Sequence, residues 1–156
     1  MCNLKVRKDY TITDKDICVS HNKNYHYFDY AAEVAKKSSM NQKHGCIIVY
    51  KKMIIASGYN RMPISHKESV HAEVNAINKA KQMNYDLREC DLYIVRIGST
   101  RQDYPLKYSR PCEKCSNYIL QNKIKKAYYS LDETTSDNIN EYAHYVSDGK
   151  FHQFVI

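Results

Sequence analysis

Four side chains in the middle of the chain could together hold a metal ion and move a proton. His71 and Glu73 stand two residues apart in HAEVNAI, and Cys112 and Cys115 stand three apart in RPCEKC. Two cysteines at this spacing share one face of a helix, and with a histidine they offer three of the four ligands that zinc usually takes. Three protein ligands leave one position for water, which is typical of catalytic rather than structural zinc.

Glu73 is the candidate for proton transfer at such a site. Two thiolates offset the charge of zinc, so bound water loses its proton less readily and a neighbouring carboxylate becomes necessary as acceptor. Residues two apart lie about 200° apart around an ideal helix, so His71 and Glu73 reach one site only if His71 precedes or starts the helix, and we expect the second helix to begin at 71. We also expect the helix start after Pro111 to favour the thiolate forms of both cysteines.

The first elements that must position these residues are a helix and a hairpin. Apolar residues at helical spacing from Tyr27 to Ser38 predict a first helix that ends near Ser39. The β-rich runs CIIVY and MIIAS are separated only by Lys51 and Lys52, which predicts a tight hairpin with an exposed turn.

The next elements alternate between helix and strand. Residues 71–83 predict a second helix, and residues 91–97 predict a strand covered on both faces. Pro111 suits the first position of a third helix that reaches about Asn122, and KKAYYSL predicts another strand. Further on, residues 139–146 permit a fourth helix and FHQFVI a last strand. The order ββαβαβ indicates a layered α/β sheet.

Length and composition narrow the class of protein. The 156 residues, 43% of them apolar, fit one compact domain spanning residues 1–156. No run approaches the roughly 18 apolar residues of a membrane span, and the first residues lack the apolar centre of a secretory signal, so we expect a soluble, cytoplasmic protein. The six cysteines are then expected to be thiols or metal ligands rather than disulfides.

Several motifs together resemble one known family. KHGCIIV, IIASGYNR, HAEVNAI, LYIV, RPCEKC and IKKAYYS follow one another between about residues 26 and 131, in the order found in the cytidine and deoxycytidylate deaminase superfamily. H-x-E with P-C-x-x-C marks the zinc-dependent nucleobase deaminases. The resemblance implies a three-layer α/β/α fold with a five-stranded mixed sheet. It also implies Zn²⁺ held by His71, Cys112 and Cys115, with Glu73 moving protons to the base and then to ammonia.

The same resemblance implies contacts with a substrate. Asn60 in GYN matches the asparagine that contacts the sugar, and the backbone at Ala72 matches a base contact. The backbone of Ser109 and Arg110, just before Pro111, matches a contact with the exocyclic amine. Members of this superfamily commonly form dimers or larger assemblies, so a homo-oligomer is expected.

The substrate is the least determined part of this interpretation. HAEVNAI resembles the nucleotide enzymes, which makes hydrolytic deamination of a cytosine nucleotide, dCMP to dUMP, the primary hypothesis. However, Asn60 and His71 are only 11 residues apart, a spacing more like that of tRNA adenosine deaminases. The loop 98–110 is longer than either group usually has and is similar to that of polynucleotide cytosine deaminases.

Two alternatives therefore stay open. The first is a deaminase acting on RNA or single-stranded DNA, which the net charge of +7 favours modestly. The second, from another class, is a non-catalytic interaction module stabilised by zinc. The presence of Glu73 argues against the second, because a purely structural metal needs no carboxylate at that spacing.

Other residues carry weaker hypotheses. Arg101, Lys107 and Arg110 could bind a phosphate, although a solvated, charged loop is the simpler interpretation. Tyr128 or Tyr129 could stack on a base, although packing in the core is commoner for tyrosine. His44 and His66 are expected to be ordinary loop histidines, with His66 the better candidate for contact with substrate because it shortly precedes His71.

Overall fold

The computed structural model describes residues 26–65, 67–99, 104–130, 142–147 and 151–155. In chain order the elements are α1 (26–35), β1 (Lys43–Tyr50), β2 (Met53–Tyr59), α2 (Ala72–Gln82), a 3-10 turn (Leu87–Glu89), β3 (Cys90–Ile97), β4 (Leu106–Lys107), α3 (Glu113–Gln121), β5 (Lys126–Ser130), β6 (Tyr142–Ser147) and β7 (Phe151–Val155). Within these ranges, no helix has the length and apolar character needed to cross a membrane.

The sheet is mixed, as the resemblance implies. Its strands lie in the order β2-β1-β3-β5-β6-β7, and β3 and β5 are parallel while the other neighbouring pairs are antiparallel. The first five strands of this order form the expected five-stranded mixed sheet, which β7 extends by one strand. The short β4 pairs with β3 at Arg96 and Ile97, and it brings the sheet to seven strands.

Helices cover both faces of the sheet, which confirms the three-layer architecture. On one face, α1 buries Phe28 and Ala31 against β1, β3 and β5. On the other face, α2 buries Ala76 and Ile77, and α3 buries Ile119, against the opposite side of the same strands. Strand residues alternate between the two faces, so each central strand contributes side chains to the apolar core on both sides of the sheet. Its sequence is therefore apolar at nearly every position.

The predicted hairpin is present and has the expected turn. Strands β1 and β2 are antiparallel, and Tyr50 pairs with Met53 across Lys51 and Lys52. Both lysines have positive φ values, 44° and 67°, which is the backbone of a type I′ turn.

Helix α2 lies very close to β2 at Gly58. A Cβ atom on Gly58 would lie 2.6 Å from the backbone nitrogen of Ala76 and 2.7 Å from the carbonyl oxygen of Ala72. The side chain of Asn75 donates a hydrogen bond of 3.2 Å to the carbonyl of Tyr59. The position of α2 over the sheet is therefore set by direct backbone contact at a residue that has no side chain.

Three predicted boundaries or elements are wrong. The fourth helix over 139–146 is not formed, because Tyr142–Ser147 is strand β6, paired on one side with β5 and on the other with β7. Pro111 is not the first residue of α3, because Cys112 is its N-cap residue and accepts a hydrogen bond from the Cys115 N–H. Helix α1 ends at residue 35, before the predicted end near Ser39. The predicted last strand is confirmed as β7.

Candidate metal and catalytic site

The two helices on one face of the sheet begin beside each other at the predicted metal-binding residues. His71 is the N-cap residue of α2 and Cys112 that of α3, and both have extended backbone geometry. Helix α2 therefore begins at Ala72, one residue after the predicted start, and His71 directly precedes it, as a site shared with Glu73 requires. Glu73 follows in the first turn of α2, and Cys115 in the first turn of α3, so all four residues lie at the same end of the helix pair.

The three predicted ligand atoms lie close enough to share one ion. His71 Nδ1 lies 3.2 Å from Cys115 Sγ and 3.6 Å from Cys112 Sγ, and all three atoms lie within 4.8 Å of one another. Tetrahedral zinc with ordinary Zn–N and Zn–S bond lengths places such N and S ligands about 3.5 Å apart. The donor set and its spacing therefore fit zinc. No further His, Cys, Asp or Glu of the described residues completes the group as a fourth ligand.

Contacts within the loop before His71, between that loop and α3, and between the two helices surround this arrangement. Arg61 and Val70 form an isolated β-bridge that closes the loop leading into His71. The exposed ion pair between Lys114 and Glu68, at 3.2 Å, joins that loop to α3. Further along, the hydroxyl of Tyr118 donates to the side chain of Asn78 on α2.

The surroundings of Cys115 change the acid–base properties of its thiol. Burial, with Glu73 and Cys112 nearby, raises the pKa of the Cys115 thiol well above its usual value. Burial thus acts against the thiolate form of Cys115, opposite to the effect expected of the helix start. A bound metal ion reverses this balance, since its charge removes the proton from a coordinating thiol.

Glu73 is buried, with 5% of its surface exposed, and it lines the same cavity as His71 and Cys112. Burial raises the pKa of its carboxyl, while its backbone hydrogen bond, the nearby His71 and a hydrogen bond with the Cys115 thiol partly offset that effect. A carboxyl group whose pKa is shifted toward neutrality is suited to accepting and returning a proton.

These residues open into a cavity, called here the site cavity, of about 440 Å³. It is lined by Met40, Asn41, Gln42, His44, Asn60, Ser69, His71, Ala72, Glu73, Arg110 and Cys112. Of the predicted substrate contacts, Asn60, Ala72 and Arg110 thus lie at this cavity, and Ser109 is absent from its lining.

The side chains of Asn60 and Ser109 have structural partners. The Asn60 amide donates to the Gln42 carbonyl at 2.7 Å and accepts from the His44 N–H at 2.8 Å, so it holds the edge of the cavity in place. The buried Ser109 hydroxyl donates to the Ile94 carbonyl and accepts from the Ser130 N–H. The predicted contact at Ser109 was through its backbone, and it stays a prediction.

His44 is a titratable site residue that the sequence interpretation missed. It lies in β1, not in a loop, and it lines the site cavity. Burial, together with the nearby charges of Arg96 and His71, lowers its pKa to about 4, so the ring is neutral at physiological pH. Extending the predicted strand two residues upstream of Cys46 would have placed His44 on the same face as the buried Cys46 and Ile48.

The other residues considered for contact with substrate or metal have structural roles or lie outside the described residues. Tyr128 and Tyr129 are both buried, on opposite faces of β5, which favours the interpretation as core residues. Lys107 is in β4, and Arg101 and His66 lie outside the described residues. Among the remaining cysteines, Cys46 and Cys90 are buried core thiols, and Cys2 and Cys18 lie outside the described residues.

Comparison with known proteins identifies the family. Residues 21–131 match the cytidine and deoxycytidylate deaminase zinc-binding region, which covers most of the chain. The chain belongs to the cytidine and deoxycytidylate deaminase family. Zinc is the cofactor of this region, and His71, Cys112 and Cys115 are positioned to bind it.

Relatives within the family act on different substrates. The chain is 29% identical over 119 residues to a probable deoxycytidylate deaminase of Caenorhabditis elegans, covering 62% of this chain and 53% of that protein. It is 25% identical over 114 residues to a tRNA-specific adenosine deaminase of Rickettsia typhi, covering 70% of this chain and 68% of that protein. The chain thus spans about half the length of the nematode relative.

Solved structures confirm the fold. The dCMP deaminase of cyanophage S-TIM5 in its apo form superposes with a TM-score of 0.56 at 24% identity. The match covers 70% of this chain and 83% of the phage protein. The three-layer deaminase-like fold predicted from the sequence is therefore confirmed.

Proposed function

We propose that this chain catalyses hydrolytic deamination of a cytosine nucleotide, with dCMP to dUMP as the primary assignment. The observation that carries this proposal is the position of Glu73. Its buried carboxyl lies in one cavity with two metal-binding residues, where a purely structural zinc site would have no use for it. The similarity to a probable deoxycytidylate deaminase supports the nucleotide assignment.

Each protein group has a distinct part in the proposed reaction. When bound, zinc lowers the pKa of water and supplies a nucleophile near neutral pH. The water oxygen forms a bond to C4 of cytosine and the bond from C4 to the exocyclic nitrogen breaks, so uracil and ammonia are the products. Glu73 accepts a proton from the attacking water and delivers it to the ring nitrogen. It then moves the remaining hydroxyl proton to the departing amine, which leaves as ammonia.

The rest of the site cavity positions the substrate. Asn60 is fixed by its two hydrogen bonds to the backbone. Its second N–H donor and its second acceptor site lie at the cavity edge, where a sugar hydroxyl would bind. The neutral His44 ring adds a donor or acceptor without adding charge. Such a site holds the base next to Glu73 and excludes part of the surrounding water.

A panel of substrates tests the assignment. Zinc-loaded protein is mixed with cytidine, CMP, dCMP, dCTP, guanine, tRNA and single-stranded DNA, and ammonia release is measured. We expect dCMP to be the preferred substrate and Glu73→Gln to reduce its turnover by at least roughly 10²-fold while zinc content stays normal. Near-normal turnover of Glu73→Gln would end the proton-transfer assignment, and loss of zinc would make Glu73 a structural residue.

A second candidate function is deamination of a base within RNA. The similarity to a tRNA-specific adenosine deaminase favours it. The same panel separates the two, because a polynucleotide held by several phosphates loses affinity steeply as salt rises, whereas a mononucleotide responds weakly. Ammonia release from tRNA with a steep salt dependence, and none from dCMP, would replace the primary assignment.

Self-association belongs to the same proposal. Among the described strands, β2 lies at an edge of the sheet, and it exposes Met53 and Ile54, with 57% and 38% of their surfaces accessible. An edge strand with exposed apolar residues is a favourable place for contact with a second copy. We propose that the chain forms a homo-oligomer through surfaces of this kind.

A further inference from the structure

The two cysteines at the start of α3 differ in their access to solvent. Cys112 is the exposed N-cap residue, whereas Cys115, in the first turn of the helix, has 1% of its surface accessible. Their Sγ atoms nevertheless lie within 4.8 Å of each other. The N–H of Cys115 donates a hydrogen bond of 3.5 Å to Cys112 Sγ. An exposed sulfur thus lies beside a buried sulfur on one turn of helix.

The positions of these two residues in the chain allow a covalent bond between their sulfurs. Residues three apart at the start of a helix have Cα atoms about 5–6 Å apart, because one helical turn rises about 5.4 Å. A disulfide requires a Cα separation of about 4.4–6.8 Å. Rotation of the two side chains is therefore enough to form the bond, and α3 does not have to unwind.

The other described thiols do not have this arrangement. Cys46 on β1 and Cys90 on β3 are both buried. The strand register places Cys90 opposite Tyr50, four residues from Cys46, which is about 13 Å along the strand. That separation is too large for a disulfide without movement of the backbone. Among the described residues, Cys112 is the exposed cysteine, and an exposed thiol is the more susceptible to oxidation.

The sulfurs of Cys112 and Cys115 can bind zinc or each other, but not both at once. Zinc coordinates cysteine as the thiolate, and a disulfide removes both thiolates and leaves His71 as one ligand of three. We propose that Cys112 and Cys115 form a reversible disulfide in the zinc-free protein, and that this disulfide excludes the metal. The inference goes beyond the proposed function, because it concerns the metal ligands and holds for any substrate.

The oxidant in this proposal is a low-molecular-weight disulfide, RSSR. The solvent-accessible sulfur of Cys112 attacks RSSR, so that a mixed disulfide forms, the S–S bond of RSSR breaks and one RSH leaves. The neighbouring sulfur of Cys115 then attacks Cys112 Sγ, the mixed disulfide breaks and a second RSH leaves. The two thiol protons of the protein end on the two RSH molecules. The protein is oxidised by two electrons, and RSSR is reduced by two.

The test detects the disulfide directly. Zinc-free protein, prepared with a chelator and a reductant that are then removed, is compared with zinc-loaded protein during treatment with oxidised glutathione. Samples are alkylated, denatured and digested with trypsin, which cleaves after Lys114, so the disulfide joins peptide 108–114 to peptide 115–123. We expect the joined peptides from the zinc-free protein. With zinc at about 100 times its Kd they should form about 100-fold more slowly, because only the zinc-free fraction reacts.

Single variants test the order of the two steps. Cys112→Ser and Cys115→Ser should each abolish the joined peptides, whereas Cys90→Ser, the buried control, should form them at the rate of the wild type. Cys115→Ser should accumulate the mixed disulfide at Cys112. Cys112→Ser should be modified at Cys115 at least about tenfold more slowly, because that sulfur is buried.

Zinc binding by the oxidised protein is the second readout. Competition with a chromogenic chelator should show that oxidation abolishes zinc binding and that dithiothreitol restores it. Equal oxidation rates with and without zinc, unchanged zinc affinity after oxidation, or a bond from either cysteine to a different thiol would overturn the inference. None of these measurements involves deamination, so the failure of this inference and the failure of the proposed function are distinguishable.

Discussion

Gly58→Ala is expected to weaken zinc binding although Gly58 touches none of the ligands. The added methyl group would lie 2.6 Å from the Ala76 backbone nitrogen and 2.7 Å from the Ala72 carbonyl. Ordinary contact begins at about 3.4 Å, so the start of α2 must move away from β2 by about 0.8 Å. Both clashing atoms belong to the helix backbone, and therefore no rotation of a side chain relieves the contact.

The displacement acts on both stability and metal affinity. Forcing a methyl group into a packed interface costs about 1–3 kcal/mol, which lowers the Tm of a chain of this size by roughly 2–12 °C. His71 immediately precedes Ala72, so it moves with the helix start. Metal–ligand distances in a zinc site lie within about 0.2 Å of their usual values. Loss of the groups that orient a ligand typically costs about 10- to 100-fold in metal affinity, so we expect the affinity for zinc to fall by about tenfold or more.

The assay is competition for zinc with a chromogenic chelator, together with thermal unfolding with and without added zinc. Gly98→Ala is the matched control, because a Cβ there would lie 3.0 Å from the nearest atom, the Cγ of the Pro105 side chain, far from α2. Zinc affinity and Tm equal to those of the wild type in Gly58→Ala would refute the idea that this backbone contact sets the position of His71.

Three further outcomes are expected. His71→Ala, Cys112→Ala and Cys115→Ala should each abolish zinc binding measured by elemental analysis, whereas Cys90→Ala, a buried thiol outside the group, should retain it. His44 has a folded pKa of about 4 against about 6.5 unfolded, so the unfolded chain takes up its proton first and stability falls as pH drops through this window. Between pH 7 and 5 the free energy of unfolding, measured by urea titration, should fall by about 2 kcal/mol more in the wild type than in His44→Asn. An equal fall in both proteins would contradict the buried neutral ring. Light scattering should show a species larger than the 18.3 kDa monomer, and a monomer at micromolar concentration would remove the expected oligomer.

The metal site could be predicted from the sequence because its residues come in two pairs, and the members of each pair are close together in the chain. His71 and Glu73, and likewise Cys112 and Cys115, are each set by one helix start, and the spacing within each pair fixes their relative direction. The first helix, the hairpin and the two parallel strands were predictable for the same reason, since their apolar periodicity is strong over a few residues.

The features that escaped prediction depend on partners distant in the chain. The apolar spacing of residues 139–146 suits a helix, yet the open edges of β5 and β7 make that segment a strand. Strand β4 has only two residues, too few for any pattern, and it exists because it pairs with Arg96 and Ile97. His44 becomes a cavity residue only once β1 is paired along its whole length with β3.

The hydrogen bonds of Ser109 have a consequence for how this chain can diversify. Ser109 is fastened to β3 through the Ile94 carbonyl and to β5 through both the N–H and the carbonyl of Ser130. These bonds lie along the chain between residues 98–105 and Cys112, so we expect an insertion or deletion within 98–105 to leave the position of the metal ligand unchanged. We therefore expect the length of that segment to change without a change in the chemistry of the metal site.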